Sequence, residues 1–237
     1  MKEKEYFDKV ADVFDTHLNV YAKPAGELRV KRRIELFSRH CQLRTGLRVL
    51  EIGCGTGEYT KGLLERCRPL FCTDISFNMI KKAREKSERL SSLYSFVCDI
   101  EQLPLKDSIF DAVVGNSILH HIDTNVALRQ IFRVLKDGGR FAFSEPNMFN
   151  PQIFLQKNIK FIKKISGDTP GEKAFYRWQI KRMFEKAGFK NIKVAPFDFL
   201  HPHTPNFIIK TVEKIGLALE KTFLREIAGS LLIVGTK

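Results

Sequence analysis

The chain has 237 residues, 43% of them hydrophobic, and carries 40 Lys and Arg against 27 Asp and Glu, a formal charge of +13. That length and apolar fraction suit one α/β domain with a full core and some appended helices. No window reaches the roughly 18 consecutive apolar residues that a membrane-spanning helix needs. The charged start MKEKEYFDKV lacks the apolar core of a signal peptide, so a cytoplasmic location is expected. Cys41, Cys54, Cys67, Cys72 and Cys98 are odd in number and form no CxxC pair, so they read as reduced thiols and a zinc ribbon is not expected.

Residues 1–45 read as a helical arm. Tyr6, Phe7, Val10, Val13 and Phe14 fall on an approximately helical stripe, and Lys23-Pro24-Ala25-Gly26 breaks the arm before a second helix that ends near Leu43. From residue 46 strands and helices alternate. Strands are predicted at 48–52, 70–74, 94–99 and 110–116, with helices at 58–67, 76–90 and 123–136. Asp137-Gly138-Gly139 is a helix stop that leads into a fifth strand, RFAFSEP. A helix over 172–188 ends at Gly188, and NIKVAPFDF and GSLLIVGTK supply two closing strands, expected to pair antiparallel. This pattern divides the chain into an arm at 1–45 and a domain at 46–237, with insertions at about 147–171 and 199–228. In the second insertion Phe207, Thr211, Ile215, Leu219, Phe223 and Ile227 recur every four residues, along one side of a helix. Such a stripe packs on its own domain, forms a dimer face or covers a bulky apolar substrate.

The ends of the strands carry the chemistry. In VLEIGCGTGEY, residues 49–59, a buried strand runs into Gly53, Gly55 and Gly57 and then a helix, so a ligand can approach backbone that has no Cβ atoms in the way. The dinucleotide pattern G-x-G-x-x-G would require glycine where Glu58 stands. Instead a carboxylate, Glu51, precedes the first glycine by two residues. LFCTD closes on Asp74, 17 positions beyond Gly57, where an acid in a βαβ unit faces a ribose. YSFVCD closes on Asp99, and FDAVVGN closes on Asn116. Asp107 and Asp123 read as turn or helix-cap residues.

This ordered set resembles motif I and the succeeding strand ends of the class I S-adenosylmethionine (SAM)-dependent methyltransferases, and among them the small-molecule enzymes of the type 11 and ubiquinone-biosynthesis kind. The resemblance covers about residues 46–145 by motif and 172–237 by topology. It implies a Rossmann-like, seven-stranded, mostly parallel sheet with helices on both faces, with SAM as cofactor and S-adenosylhomocysteine as product. By that resemblance Asp74 accepts from the ribose hydroxyls, Asp99 from the adenine amino group, and the Ile100 backbone meets the ring. Ile75 and Met79 pack on the adenine face, and Asn116 lies at the methionine end. SAM has no phosphate but does carry ammonium and sulfonium charges, which suits an acidic rather than an anion-binding loop. The arm is expected to fold over SAM as a lid. Without the CxxxCxxC of radical enzymes, the expected chemistry is polar methyl transfer.

Past the fourth strand, NSILHHID places His120 and His121 beside the expected methyl-donor pocket. An imidazole that removes a proton during attack would help a hydroxyl nucleophile. The alternative is that one ring caps the next helix or braces the loop, with His121 favoured as the base. Glu145, at the end of the fifth strand, either holds the substrate or is a turn residue before Pro146. His201 and His203, with Asp198 nearby, form a poor metal set between prolines, and no metal is expected.

The charge is uneven: residues 151–190 hold ten Lys and Arg against three acids. The segment at 151–165, PQIFLQKNIKFIKKI, alternates apolar residues with lysines as a surface helix does, which makes membrane-surface contact a candidate partner role. The dedicated NPPY amino-methylation motif of the family is replaced here by NSIL. The expected reaction is therefore O-methylation of a small acceptor (a sugar, a phenol or quinone-like ring, or a lipid-linked intermediate) by a monomer or homodimer, cytoplasmic or peripheral at a membrane. The alternatives are a tRNA methyltransferase that uses the basic face and a non-catalytic SAM-binding subunit.

Overall fold

A computed structural model describes residues 3–14, 21–87, 92–159 and 172–237. Its seven strands are β1 (Val49–Ile52), β2 (Leu70–Asp74), β3 (Leu93–Val97), β4 (Phe110–Asn116), β5 (Leu135–Pro146), β6 (Lys190–Phe197) and β7 (Ser230–Thr236). They form one sheet in the order β3-β2-β1-β4-β5-β7-β6. The pairs β1–β2, β1–β4, β2–β3 and β4–β5 are parallel, whereas β7 runs antiparallel to both β5 and β6. This is the Rossmann-like arrangement expected from the sequence. Because sequence moves outward from β1 to β3 and then jumps back to β4, the C-terminal ends of β1, β2 and β4 meet at one rim, where such folds bind ligands.

Strand periodicity sorts the core into two layers. Leu50, Ile52, Val113, Phe141, Phe143, Leu231 and Ile233 face one way. There they meet α5 (Thr124–Val134) and α7 (Arg177–Lys186), with Phe141 stacked on Phe184 at 4.7 Å. Val49, Ala112, Val114, Ala142, Leu232 and Val234 face the other way, toward Ile34 and Phe37 of α2 (Pro24–Cys41) and Leu63 and Leu64 of α3 (Thr60–Leu64). The remaining helices are α1 (Glu3–Phe14), α4 (Phe77–Ser87), α6 (Pro151–Asn158) and α8 (Ile209–Leu219).

Several boundaries differ from the sequence-based expectation, among them the start of β5, which begins at Leu135 where the sequence predicts helix to 136 and a stop at Asp137-Gly138-Gly139. The helix predicted at 58–67 is only Thr60–Leu64, because the glycine turn continues through Glu58 and Tyr59. The helix predicted at 172–188 begins at Arg177, because the preceding residues run beside the end of β5. Phe175 donates its N–H to Pro146 O at 3.1 Å and its carbonyl accepts from Met148 N at 3.0 Å, so neither group is available to a helix. The predicted 76–90 helix is described to Ser87, and the part of the 151–165 segment beyond Ile159 lies outside the described residues. Asp123 caps α5 as anticipated, accepting from Asn125 N and Val126 N, and Asp107 sits in the turn before β4.

The arm's second helix is locked to the sheet by buried charge. Arg33 is 3% exposed, and its guanidinium lies 2.7 Å from Asp198 and donates to Ser144 Oγ at 3.1 Å and Ser230 Oγ at 2.8 Å. Arg29 donates to the same Asp198 oxygen at 2.7 Å. Burial alone would raise the Asp198 carboxyl, but the two guanidiniums hold it down at about 2. Removing one partner of such a pair strands the other charge, at about 3–5 kcal/mol. Asp198→Asn is therefore expected to lower urea stability at pH 7 by about that amount, and Arg33→Met in the same chain to recover part of it. The Asp198 contribution is present above the ordinary carboxyl range near pH 4 and disappears as pH falls through 2, so the variant and the parent should converge in acid.

Candidate active site

The glycine loop starts where β1 ends with all four residues buried. Gly53, Gly55 and Gly57 have φ of +65°, +52° and +88°. A Cβ on Gly57 would lie 2.9 Å from the Ala83 backbone, so the loop sits hard against α4. A Cβ on Gly55 would meet nothing within 4 Å, so that part of the loop presents bare backbone to open space. Asp74, at the end of β2, shapes the loop: its Oδ2 accepts from Gly55 N at 2.9 Å and its Oδ1 from Ser76 N at 3.0 Å. Glu51 is 3% exposed and accepts from Thr60 Oγ1 at 2.7 Å. Burial pushes its carboxyl up to about 8, against the pull of the Thr60 hydrogen bond and with help from the Asp74 charge. Two acids on neighbouring strands with no cation paired to Glu51 among the described residues make a place for a positively charged ligand.

The next strand ends follow in order. Asp99 is exposed at the end of β3 and accepts from Glu101 N at 2.8 Å, while Ile100 is buried in the turn that follows. Ile75 is half-buried and Met79 is buried, on either side of the start of α4. Asn116 donates through Nδ2 to Ser117 Oγ at 3.2 Å, but its Oδ1 is buried without a hydrogen-bond partner among the described residues. A buried acceptor left unmet costs about 1–3 kcal/mol, which a donor on a bound molecule would recover. Helix α1 closes over this end of the rim: Asp8 accepts from Ser76 Oγ at 2.6 Å, and its carbonyl accepts from Asn78 Nδ2 at 3.0 Å.

His120 and His121 follow β4 in a 3₁₀ turn, with ring centroids 4.1 Å apart. Glu145, 1% exposed, is committed on both oxygens. Oε1 accepts from Ile118 N at 3.0 Å and Leu119 N at 2.8 Å, and Oε2 faces His120 Nδ1 at 2.6 Å. On the other side of the ring, His120 Nε2 lies 3.5 Å from Glu172, which accepts from Lys157 Nζ of α6 at 2.8 Å. Burial would drive the His120 proton off, but the two carboxylates outweigh it and hold the imidazolium to about 9. Burial and the neighbouring His120 charge push His121 the other way, down to about 3, so its ring is neutral. The His121 ring meets Phe7 of α1 edge-on at 5.4 Å. Glu145 is thus neither a turn residue nor a freely oriented substrate ligand; it stands behind His120 and organises the loop.

Glu172 and Lys157 gave no signal in the sequence. Glu172 lies 51 positions after His121, in a stretch that reads as helix, and Lys157 is one of many lysines in a basic segment. Among the described residues, His120, His121 and Glu172 bring donor atoms within 4.8 Å of one another, a potential metal triad. Lys157 and the His120 proton already balance the two carboxylates there. His201 and His203 stay away from this rim: His201 Nε2 meets Gln152 Nε2 at 3.1 Å, His203 Nδ1 meets Lys23 Nζ at 2.8 Å, and Asp198 is taken by Arg33 and Arg29. A depression of about 300 Å³ between α2 and α3, lined by Tyr21, Val30, Ile34 and Gly62, contains none of the predicted site residues.

The His120 network carries a pH signature. Its folded pKa of about 9 lies above the unfolded value near 6.5, so its contribution is complete below pH 6.5 and is lost as pH rises through 9. The shift corresponds to roughly 3 kcal/mol. Urea midpoints measured from pH 6 to 9.5 should fall over that window in the parent and much less in Glu145→Gln; equal slopes would remove the network from the stability of the fold.

Comparison with known proteins agrees with this geometry. Residues 50–143 match the model of a family described as a methyltransferase domain. The chain is 31% identical over 175 residues to demethylmenaquinone methyltransferase of Staphylococcus aureus, an alignment that spans 65% of this chain and 73% of that protein. It is 30% identical over 179 residues to malonyl-[acyl-carrier protein] O-methyltransferase of Geobacter sulfurreducens, spanning 71% of this chain and 66% of that one. Among solved structures, a SAM-dependent methyltransferase of Thermotoga maritima, described as a possible histamine N-methyltransferase, superposes with a TM-score of 0.70 at 21% identity over 99% of both chains. With its strand order, its glycine loop and these relatives, the chain belongs to the SAM-dependent methyltransferases, with SAM as its cofactor.

Proposed function

We propose that this chain transfers the methyl group of SAM to a hydroxyl oxygen of a small acceptor, with a phenol or quinone-like ring, a sugar or a lipid-linked intermediate as the acceptor class. One observation carries the reading: His120 is held as an imidazolium between Glu145 and Glu172, which leaves the adjoining His121 neutral and able to accept a proton. The Geobacter relative is by name an O-methyltransferase, in keeping with the same choice of acceptor atom.

SAM supplies an electrophilic methyl on a sulfonium leaving group. The residues that would hold it are Glu51, Gly53, Gly55, Gly57, Asp74, Ile75, Met79, Asp99, Ile100 and Asn116. The fit rests on the open face of Gly55, the uncompensated Glu51 and the orphaned Asn116 oxygen. Asp74 and Asp99 offer acceptors for hydroxyl and amino groups, Ile75 and Met79 an apolar wall. The arm, through Asp8 and Phe7, serves as the lid over both ends of the site.

On receiving the methyl group that SAM would supply, the acceptor hydroxyl would become strongly acidic. A weak base is then sufficient, and His121 takes the hydroxyl proton. Glu145 and Glu172 act through His120, fixing its ring and its charge. Alignment of the acceptor with the methyl group contributes several kcal/mol, so proton transfer is only part of the rate.

Calorimetric titration with SAM tests the cofactor assignment. Asp74→Ala should weaken binding at least about tenfold, the equivalent of one or two lost hydrogen bonds; unchanged affinity would remove Asp74 from the site. Glu51→Gln should bind SAM more weakly yet be more stable, by a margin that grows as pH rises from 4.5 to 8 and reaches about 5 kcal/mol, because it removes a carboxylate whose ionised form the fold disfavours. For the transfer step, labelled SAM offered with phenolic, sugar, lipid and RNA pools should label a small acceptor; label confined to RNA would overturn the reading. With that acceptor, His121→Ala should lose about 10²–10⁴ in turnover while SAM affinity holds. The parent rate should stay level through neutral pH, because His121 is neutral across that range.

A further inference from the structure

The helical insertion between β6 and β7 presents its apolar residues to solvent. Phe207, just before α8, is 87% exposed, and Phe223, just after it, is 82% exposed; Ile215 between them is 54% exposed and Ile227 42%. The stripe read from the sequence thus points outward, and α8 is held to the domain by the opposite side, Ile209 and Gly216, with the Gly216 position backed against Phe199. On α6, Phe154 is 46% exposed. The cap residue of α6, Asn150, donates through Nδ2 to Ile227 O of the turn after α8 at 2.9 Å. Helix α8 has eleven residues, about 16 Å, so the two phenylalanines stand at the ends of a bar.

The charges on this bar are not balanced outward. Lys210, Lys214 and Lys221 are exposed along it. Of its acids, Glu213 is half-buried and lines a groove with Arg29 and Arg32 of α2, Glu220 turns inward to Arg32 at 2.8 Å and accepts from Asp198 N, and Glu226 pairs with Arg177 at 2.9 Å. Outward-facing aromatic and aliphatic residues interleaved with lysines suit the boundary between lipid headgroups and acyl chains. A second copy of the chain fits poorly, because a two-fold contact would set lysines against lysines in a molecule already at +13.

We propose that α8 and its flanking turns dock on an anionic lipid bilayer, with Phe207 and Phe223 inserted at the headgroup boundary and Lys210, Lys214 and Lys221 against lipid phosphates. This goes beyond the methyl-transfer reading and does not require it. The docked face adjoins the acceptor end of the rim: Asn147, two residues after Glu145, donates to Glu226 O at 2.9 Å, and α6 carries the Lys157 that reaches Glu172. An apolar acceptor leaving the bilayer would meet the site at that edge.

The test is co-sedimentation with vesicles of phosphatidylcholine alone and of phosphatidylcholine with phosphatidylglycerol. Binding should appear on the anionic vesicles and weaken with added salt. Lys210→Glu/Lys214→Glu/Lys221→Glu should lose at least about 100-fold in affinity, given the contribution of each basic residue at an anionic surface. Phe207→Ser/Phe223→Ser should lose binding while keeping the parent's urea midpoint and SAM affinity, which separates this surface from the methyl-transfer site. Absence of binding to anionic vesicles, full binding by the phenylalanine variant, or preference for RNA over vesicles would overturn the proposal. So would a dimer in light scattering that the phenylalanine variant dissolves without any vesicle binding.

Discussion

A carboxylate with no access to water must have every oxygen answered by a donor, and Glu145 meets that demand in a way that orders everything past β4. Its two oxygens draw in the N–H groups of Ile118 and Leu119 and the Nδ1 of His120, which bends the chain leaving β4 into a turn beside the end of β5. The turn sets the two histidines side by side, and the buried negative charge keeps one of them protonated. The like charge and burial then keep the other neutral. Opposite protonation states on adjacent identical side chains are a consequence of position alone, and they divide one histidine pair into a buried cation and a neutral ring.

The same requirement reaches outward. An imidazolium enclosed at 3% exposure is satisfied on its second nitrogen by Glu172, and Glu172 is matched by Lys157. To bring Glu172 to that place, residues before Arg177 remain beside the end of β5 and the helix starts later than its sequence suggests. On the far side of the sheet a second buried set, Arg33 with Asp198, Ser144 and Ser230, fastens α2 to the ends of β5 and β7. Helix α1 reaches the rim itself through Asp8 and Phe7. Buried charge in this protein therefore joins segments that are remote in sequence, while the apolar layers hold the sheet together.

The proposed cofactor end is built on a different principle. Glu51 with the glycines, Asp74, Asp99 and Asn116 stand at or just past the ends of β1, β2, β3 and β4, each marked by the pattern of its own strand. What the assembled rim adds is their mutual geometry: Asp74 closing on Gly55, Gly57 pressed on Ala83, and one Asn116 oxygen left for a ligand.

That difference decides what could be read without coordinates. Alternation of short apolar runs with helical stretches, ended by glycines and acids, determined the strands and the residues at their ends, because each signal is local and the hydrophobic period carries it, while the sheet they form was implied by resemblance to the family. Periodicity also located the stripe from Phe207 to Ile227, but a four-residue repeat says only that residues share a side, not whether that side faces core or water. Only the packing of Ile209 and Gly216 settled it, turning the stripe outward. The His120–Glu145–Glu172–Lys157 cluster and the engagement of Asp198 by Arg33 likewise belong to the tertiary structure. They join residues from 15 to 165 positions apart, and what selects each partner is the electrostatic cost of an unmatched buried charge, a quantity that exists only after the chain has folded.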